Sequence, residues 1–158
     1  MLKLKVHLNQ MHIATKGSKI DISSEKKLEE FSKKLSIELK QGDVLFLFGE
    51  IGVGKTTFVK YLINNLQLRS KLKLTDVTSP TFNIMNEYQV GTLLIKHYDL
   101  YRLKSHDELK DLNMFDYNDN EILLVEWPEI IKNEPNLVTK LYFKYDNQYH
   151  KRFINVLS

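Results

Sequence analysis

Residues 44–62, VLFLFGEIGVGKTTFVKYL, decide how the rest of this chain is read. The first five form an unbroken apolar run, the signature of a strand buried on both faces of a parallel sheet. Gly49, Gly52 and Gly54 follow within six residues, then Lys55, Thr56 and Thr57. Such a run packs poorly and has no purpose in a core. Apolar residues then return at helical spacing through Phe58, Leu62, Ile63 and Leu66.

Gly49-x-x-x-x-Gly54-Lys55-Thr56 satisfies the P-loop pattern G-x-x-x-x-G-K-[ST] in full. Each residue type has a chemical reason. Glycines reach the backbone angles of a tight loop and let amide N–H groups approach an anion. The loop opens a helix, whose unpaired N–H groups favour phosphate. Lys55 can reach the β and γ phosphates, and the Thr56 hydroxyl can ligate Mg2+. Thr57 is open to two roles, an α-phosphate contact or a helix cap. A glycine turn without a ligand is the plain alternative, and the flanking strand and helix argue against it. The expected nucleotide-binding stretch is therefore Gly49, Glu50, Ile51, Gly52, Val53, Gly54, Lys55, Thr56 and Thr57.

Phosphoryl transfer also needs a carboxylate near the metal and a group that orients the attacking oxygen. ILLVEW, residues 122–127, is a second buried-strand run, ended by Pro128, and it delivers Glu126 at its C-terminal end. A carboxylate there is hard to keep ionised without a cation beside it. Glu126 is assigned to Mg2+ or to the nucleophilic water. Asp99, at the end of another strand in KHYDLYRL, is the second metal-shell candidate. Lys55, Glu126 and Asp99 are thus the expected catalytic set, and Thr56, Glu126 and Asp99 the expected metal set. Trp127 is open to covering the nucleotide, meeting a protein partner, or packing in the core. For His97 the simplest reading is a packed, hydrogen-bonded residue, and for Arg102 a structural ion pair. Tyr98 and Tyr101 read as packing residues. The lysine pairs at 26–27 and 33–34 read as the solvated face of a helix.

The remaining chain fills in an α/β domain. SSEKKLEEFSKKLSIEL, from Ser23, reads as a capped helix with a stripe through Leu28, Phe31 and Leu35. RSKLKLTD is a surface loop. FNIMNEYQ and GTLLIKHYDL form a hairpin turning near Val90-Gly91. KSHDELKDL, 104–112, predicts a short helix with Ser105 as cap and Glu108 three residues later. LVTKLYFKYDNQYHKRFINVL predicts a terminal hairpin turning near Asp146-Asn147. The expected fold is a P-loop NTPase-like three-layer α/β domain over residues 21–158, with a mixed, mainly parallel central sheet and antiparallel hairpins. Residues 1–20, where Leu2, Leu4, Val6 and Leu8 alternate with polar residues, read as an extension or edge strand. Met11 is a possible start.

The bulk numbers suit this picture. The chain has 158 residues, a formal charge of +3 and no cysteine. One core is expected, disulfides and thiolate zinc sites are excluded, and a reducing cytoplasm fits. No apolar run approaches a membrane span. No N-K-x-D segment reads guanine, against a GTP switch. The arginines are only Arg69, Arg102 and Arg152, widely spaced. A small-molecule kinase, the main alternative, commonly clamps its phosphate with several arginines. No basic–aromatic motif marks a direct RNA binder.

GEIGVGKTTF (49–58), VTSPTFNIMNEY (77–88), HYDLYRL (97–103) and VEWPE (125–129) stand in the order of the TsaE (formerly YjeE) family, and the chain resembles it from about Ser23 onward. That family comprises small bacterial P-loop ATPases needed to make threonylcarbamoyladenosine (t6A) in tRNA. The resemblance implies ATP and Mg2+ as ligands. It places Ser79, Pro80, Thr81 and Phe82 on a switch-like loop beside the γ phosphate, so Thr81 joins the nucleotide-binding set. It puts Asp99 in the metal shell, Glu126 on the glutamate required for hydrolysis, and Trp127 on the tryptophan after it. It implies TsaD and TsaB as partners, with tRNA engaged indirectly and no membrane involved. Glu50, Ile51 and Val53 differ from the usual family loop, at its variable positions. RSKLKLTD lacks a familiar glycine, and NMFDYNDN fits loosely.

Overall fold

The computed structural model describes residues 17–116 and 120–157. The strands are β1 (Lys19–Asp21), β2 (Val44–Phe48), β3 (Met85–Val90), β4 (Leu93–Asp99), β5 (Glu121–Glu126), β6 (Thr139–Tyr145) and β7 (Arg152–Leu157). The helices are α1 (Glu25–Glu38), α2 (Lys55–Arg69) and the short α3 (Asp107–Lys110), with a 3-10 turn at Pro128–Ile130.

The seven strands among the described residues join one sheet in the order β1-β7-β6-β2-β5-β4-β3. The apolar runs at β2 and β5 lie side by side in the middle and pair in parallel. β6 and β4 extend the parallel set on either side. Both edges are antiparallel: β3 hairpins onto β4, and β7 and β1 follow β6. This is the expected mixed α/β sheet, with its parallel strands at the centre. β1 occupies an edge; the remainder of the expected N-terminal strand, residues 1–16, lies outside the described residues.

The sheet faces are covered unequally. Ser24 caps α1 by accepting from the Lys27 amide at 3.3 Å. The Leu28, Phe31 and Leu35 stripe then packs on α2, where Phe31 and Phe58 stack at 5.8 Å. Both helices bury their apolar faces on Leu45, Leu47, Ile95, Ile122 and Leu124. The other face buries Val44, Phe46, Tyr98, Leu123 and Val125 beneath Leu100, Leu109, Met114 and Ile131. The third layer is therefore thin, built from α3, the 3-10 turn and loops.

One element is shorter than expected. The helix predicted over 104–112 spans only Asp107–Lys110, with His106 at the N-cap. The Ser105 hydroxyl bonds the Glu108 side chain at 3.2 Å instead of capping a backbone amide. Asn113, at φ 45°, turns the chain out of helical geometry. The polar loop after α2 is held by Gln67, whose amide donates to Thr75 Oγ1 at 2.8 Å and accepts from the Thr75 N–H at 3.2 Å.

Candidate functional site

The parallel centre of the sheet places the site. β2 delivers Gly49, β5 delivers Glu126 and β4 delivers Asp99, all at C-terminal strand ends. Glu126 is the register partner of both Leu47 and Asp99. Paired residues of parallel strands project to the same face, so both carboxylates stand on the face that carries α2. Crevices at such strand ends are where open α/β sheets take ligands.

The loop cannot be built without its first glycine. At Gly49 (φ 140°) a Cβ would stand 2.5 Å from the Phe143 carbonyl oxygen. Gly54 (φ 113°) occupies the N-cap position of α2 without a side-chain cap bond. The residues of that first turn line a cavity of about 250 Å³. Ile51, Gly52, Gly54, Lys55, Thr56 and Thr57 form one wall; Ser79, Thr81, Asp99, Tyr101, Glu126 and Trp127 form the other. Of the expected binding stretch, Gly49, Glu50 and Val53 do not line it. The Gly49 and Glu50 carbonyls instead accept from Lys55 Nζ at 2.6 and 3.0 Å. Val53 is buried in the core, while Ile51 is exposed.

Lys55 is 4% exposed. Its ammonium also lies 3.9 Å over the Trp127 ring. Burial pushes its pKa below the ordinary lysine value, and the charges of Glu126, Glu129 and Asp99 oppose that shift. Trp127 adopts φ 57°, a conformation that costs a bulky residue about 1–3 kcal/mol. The turn leaves its ring against Lys55 and 4.9 Å from the Tyr101 ring. Trp127 also packs against the second core cluster, so it joins cavity wall and core.

Glu126 is 2% exposed. The Thr56 hydroxyl faces both its oxygens, at 2.9 Å from Oε1 and 3.1 Å from Oε2. His97 Nε2 lies 2.9 Å from Oε1. Among the described residues, no lysine or arginine forms an ion pair with Glu126. Asp99 is equally enclosed. Its Oδ2 accepts from Ser79 Oγ at 2.9 Å and Thr81 Oγ1 at 2.6 Å, and its Oδ1 from the Tyr101 amide at 3.0 Å. The Ser79–Thr81 loop is therefore fastened to one of the two carboxylates.

Two sequence readings change here. Tyr98 packs in the core, but Tyr101 is half exposed and lines the cavity. Arg102 stacks 5.3 Å over the exposed Phe82 ring; the expected ion pair is replaced by this contact. His97 is packed as expected, yet its bond goes to Glu126, which its position before a strand end did not disclose. Ser79, expected on the loop beside the γ phosphate, lines the cavity and bonds Asp99, a contact that the motif did not disclose.

Fold and site together define an α/β domain with a phosphate-loop sequence at the end of a central parallel strand, and two enclosed carboxylates on the neighbouring strand ends. Residues 22–154 match the family described as "Threonylcarbamoyl adenosine biosynthesis protein TsaE", and the chain belongs to that family. It is 34% identical over 139 residues to the tRNA threonylcarbamoyladenosine biosynthesis protein TsaE of Rickettsia conorii, spanning 87% of this chain and 76% of the relative. The Bacillus subtilis protein of the same name is 41% identical over 96 residues, 60% of this chain and 56% of the relative. The crystal structure of Bacillus subtilis YdiB aligns with a TM-score of 0.67 at 26% identity, covering 90% of this chain and 86% of that one. Among the described residues, no helix is long and apolar enough to cross a membrane.

Proposed function

We propose that the chain binds ATP with magnesium along residues 49–57 and hydrolyses it in support of threonylcarbamoyladenosine formation on tRNA, acting on the TsaD–TsaB transferase pair. One observation carries the hydrolysis reading. The Thr56 hydroxyl meets both oxygens of a buried carboxylate 70 residues away, at the end of the adjacent parallel strand.

The donor set fits magnesium. Mg2+ takes hard oxygen ligands and commonly uses one or two carboxylates beside the phosphates. Thr56, Glu126 and Asp99 supply only oxygen. Among the described residues, no cluster of three or more His, Asp or Glu side chains forms a metal cage by itself, which suits an ion that arrives with its nucleotide. When bound, the ion would neutralise charge developing on the phosphates.

The chain's own residues do the rest. Glycine-loop amides and the first turn of α2 hold polyphosphate. Lys55, already desolvated, places a positive charge where it is weakly screened. Glu126 orients a water and accepts its proton. The Ser79–Thr81 loop, bonded to Asp99, changes its contacts with the phosphate state and presents that change to a partner. A small-molecule kinase is less well supported. No arginine lines the cavity: Arg69 bonds the Ser36 carbonyl, Arg152 the Ser23 carbonyl, and Arg102 the Phe82 ring.

The test is ATP hydrolysis by this chain alone and with TsaD and TsaB, read beside a tRNA-modification assay. Slow turnover stimulated by the pair supports the reading. Phosphate appearing on a small molecule supports the kinase instead.

A further inference from the structure

Glu126 has a second tether. His97 stands on β4 two residues before Asp99, and its register partner Leu124 stands two before Glu126 on β5. The imidazole is completely enclosed. Nε2 lies 2.9 Å from Glu126 Oε1, and Nδ1 is buried with no hydrogen-bond partner among the described residues. The same sheet face carries Ile95, Leu45, Leu47, Ile122 and Leu124 around it. An apolar side chain would fill that place without burying an unpartnered nitrogen, which is unfavourable. Among the described residues, the imidazole's single side-chain hydrogen-bond contact is the carboxylate. An ionised carboxylate can only accept, so in this contact Nε2 is the donor.

We propose that His97 is a positioning residue for Glu126, holding Oε1 from the sheet side and so fixing the carboxylate at the cavity wall. This rests on the hydrolysis reading above. The two tethers differ in kind. Thr56 lines the cavity and has a second use there. His97 is sealed in the sheet and has none. When the Thr56 hydroxyl engages a cation, the Nε2–H of His97 is what keeps the carboxylate from swinging. Partners of this type around catalytic and metal-binding carboxylates are commonly worth 10–100-fold. No bond is made or broken at His97, so it acts through Glu126.

The test compares His97→Phe, which keeps a ring and removes the donor, with His97→Gln, whose amide nitrogen has about the reach of Nε2. Glu126→Gln and the double variant His97→Phe/Glu126→Gln complete the set. Single-turnover phosphate release and Mg–ATP affinity are measured in each. His97→Phe should slow the maximal rate about 10–100-fold while affinity stays within roughly threefold. His97→Gln should recover most of the rate. The double variant should be no slower than Glu126→Gln, because both changes remove one function. A readout that needs no change at position 97 is nitrogen NMR of the imidazole. It should show the Nε2–H tautomer, with a resonance that moves in Glu126→Gln. A full-rate His97→Phe, an unrescued His97→Gln of equal thermal midpoint, or an Nδ1–H tautomer overturns the proposal. Full-rate hydrolysis by Glu126→Gln would instead overturn the hydrolysis reading itself.

Discussion

Strand β5 begins and ends on a buried glutamate, and the two are compensated in opposite ways. Glu121, at the N-terminal end, pairs with Lys96 on β4 at 2.9 Å. Glu126, at the C-terminal end, is at least as enclosed but, among the described residues, its side chain bonds only a threonine hydroxyl and an imidazole. The nearby ammonium of Lys55 is spent on loop carbonyls and the Trp127 ring. An ion pair inside the chain makes a structural site. A buried carboxylate with donors but no lysine or arginine in ion-pair contact suits the cation-binding role proposed for Glu126. One strand thus carries an acid paired inside the chain and the acid proposed to serve hydrolysis, in different surroundings.

This contrast can be broken at either end. Glu126→Gln should slow hydrolysis by about 10²–10⁴-fold, the usual worth of a positioned base, with a thermal midpoint no lower than wild type. A clear loss of stability there would make Glu126 structural after all. Lys55→Ala should weaken ATP binding by roughly 10²–10³-fold, the scale of losing a desolvated charged contact, as calorimetry can show. Asp99→Asn should act more mildly, lowering apparent magnesium affinity about 10–100-fold. It should also release the Ser79–Thr81 loop, visible as faster amide exchange there.

Glu121→Gln should leave turnover per folded molecule unchanged and lower stability by roughly 3 kcal/mol, because Lys96 is left half buried and unpaired. The Glu121 hydrogen bond chiefly raises the pKa of Lys96 above its ordinary 10.5. A raised folded value means the stabilisation is fully present below that ordinary value and is lost as pH rises through the folded one. The gap in urea midpoint between wild type and Glu121→Gln should therefore hold from neutral pH to about 10.5 and close above it.

Much of this was legible in the sequence because the central strands are buried on both faces. VLFLF and EILLVE need no polar alternation, so continuous apolar runs marked them. The glycines and Lys55 marked the loop between strand and helix, and strand ends pointed to Asp99 and Glu126. What the sequence hid depends on neighbours far away in the chain. The bond from His97 to Glu126 requires β4 beside β5, an adjacency made across a long intervening segment. The alternation of exposed Ile51 and buried Val53 follows from how the loop folds over Phe143, 90 residues later. Tyr101 and Arg102 lie just past the end of β4, where strand periodicity no longer says which way a side chain points. The thin third layer came from short local turns, whose propensities are weak beside tertiary contacts.

The most direct measurement is the thermal midpoint of wild type, Glu121→Gln and Glu126→Gln with ATP and magnesium, against ATP with a chelator. A bound ligand raises the midpoint of the state it binds. The account predicts a magnesium-dependent rise in wild type, the same rise from a lower baseline in Glu121→Gln, and its loss in Glu126→Gln. An undiminished magnesium-dependent rise in Glu126→Gln, or none in wild type, would contradict it.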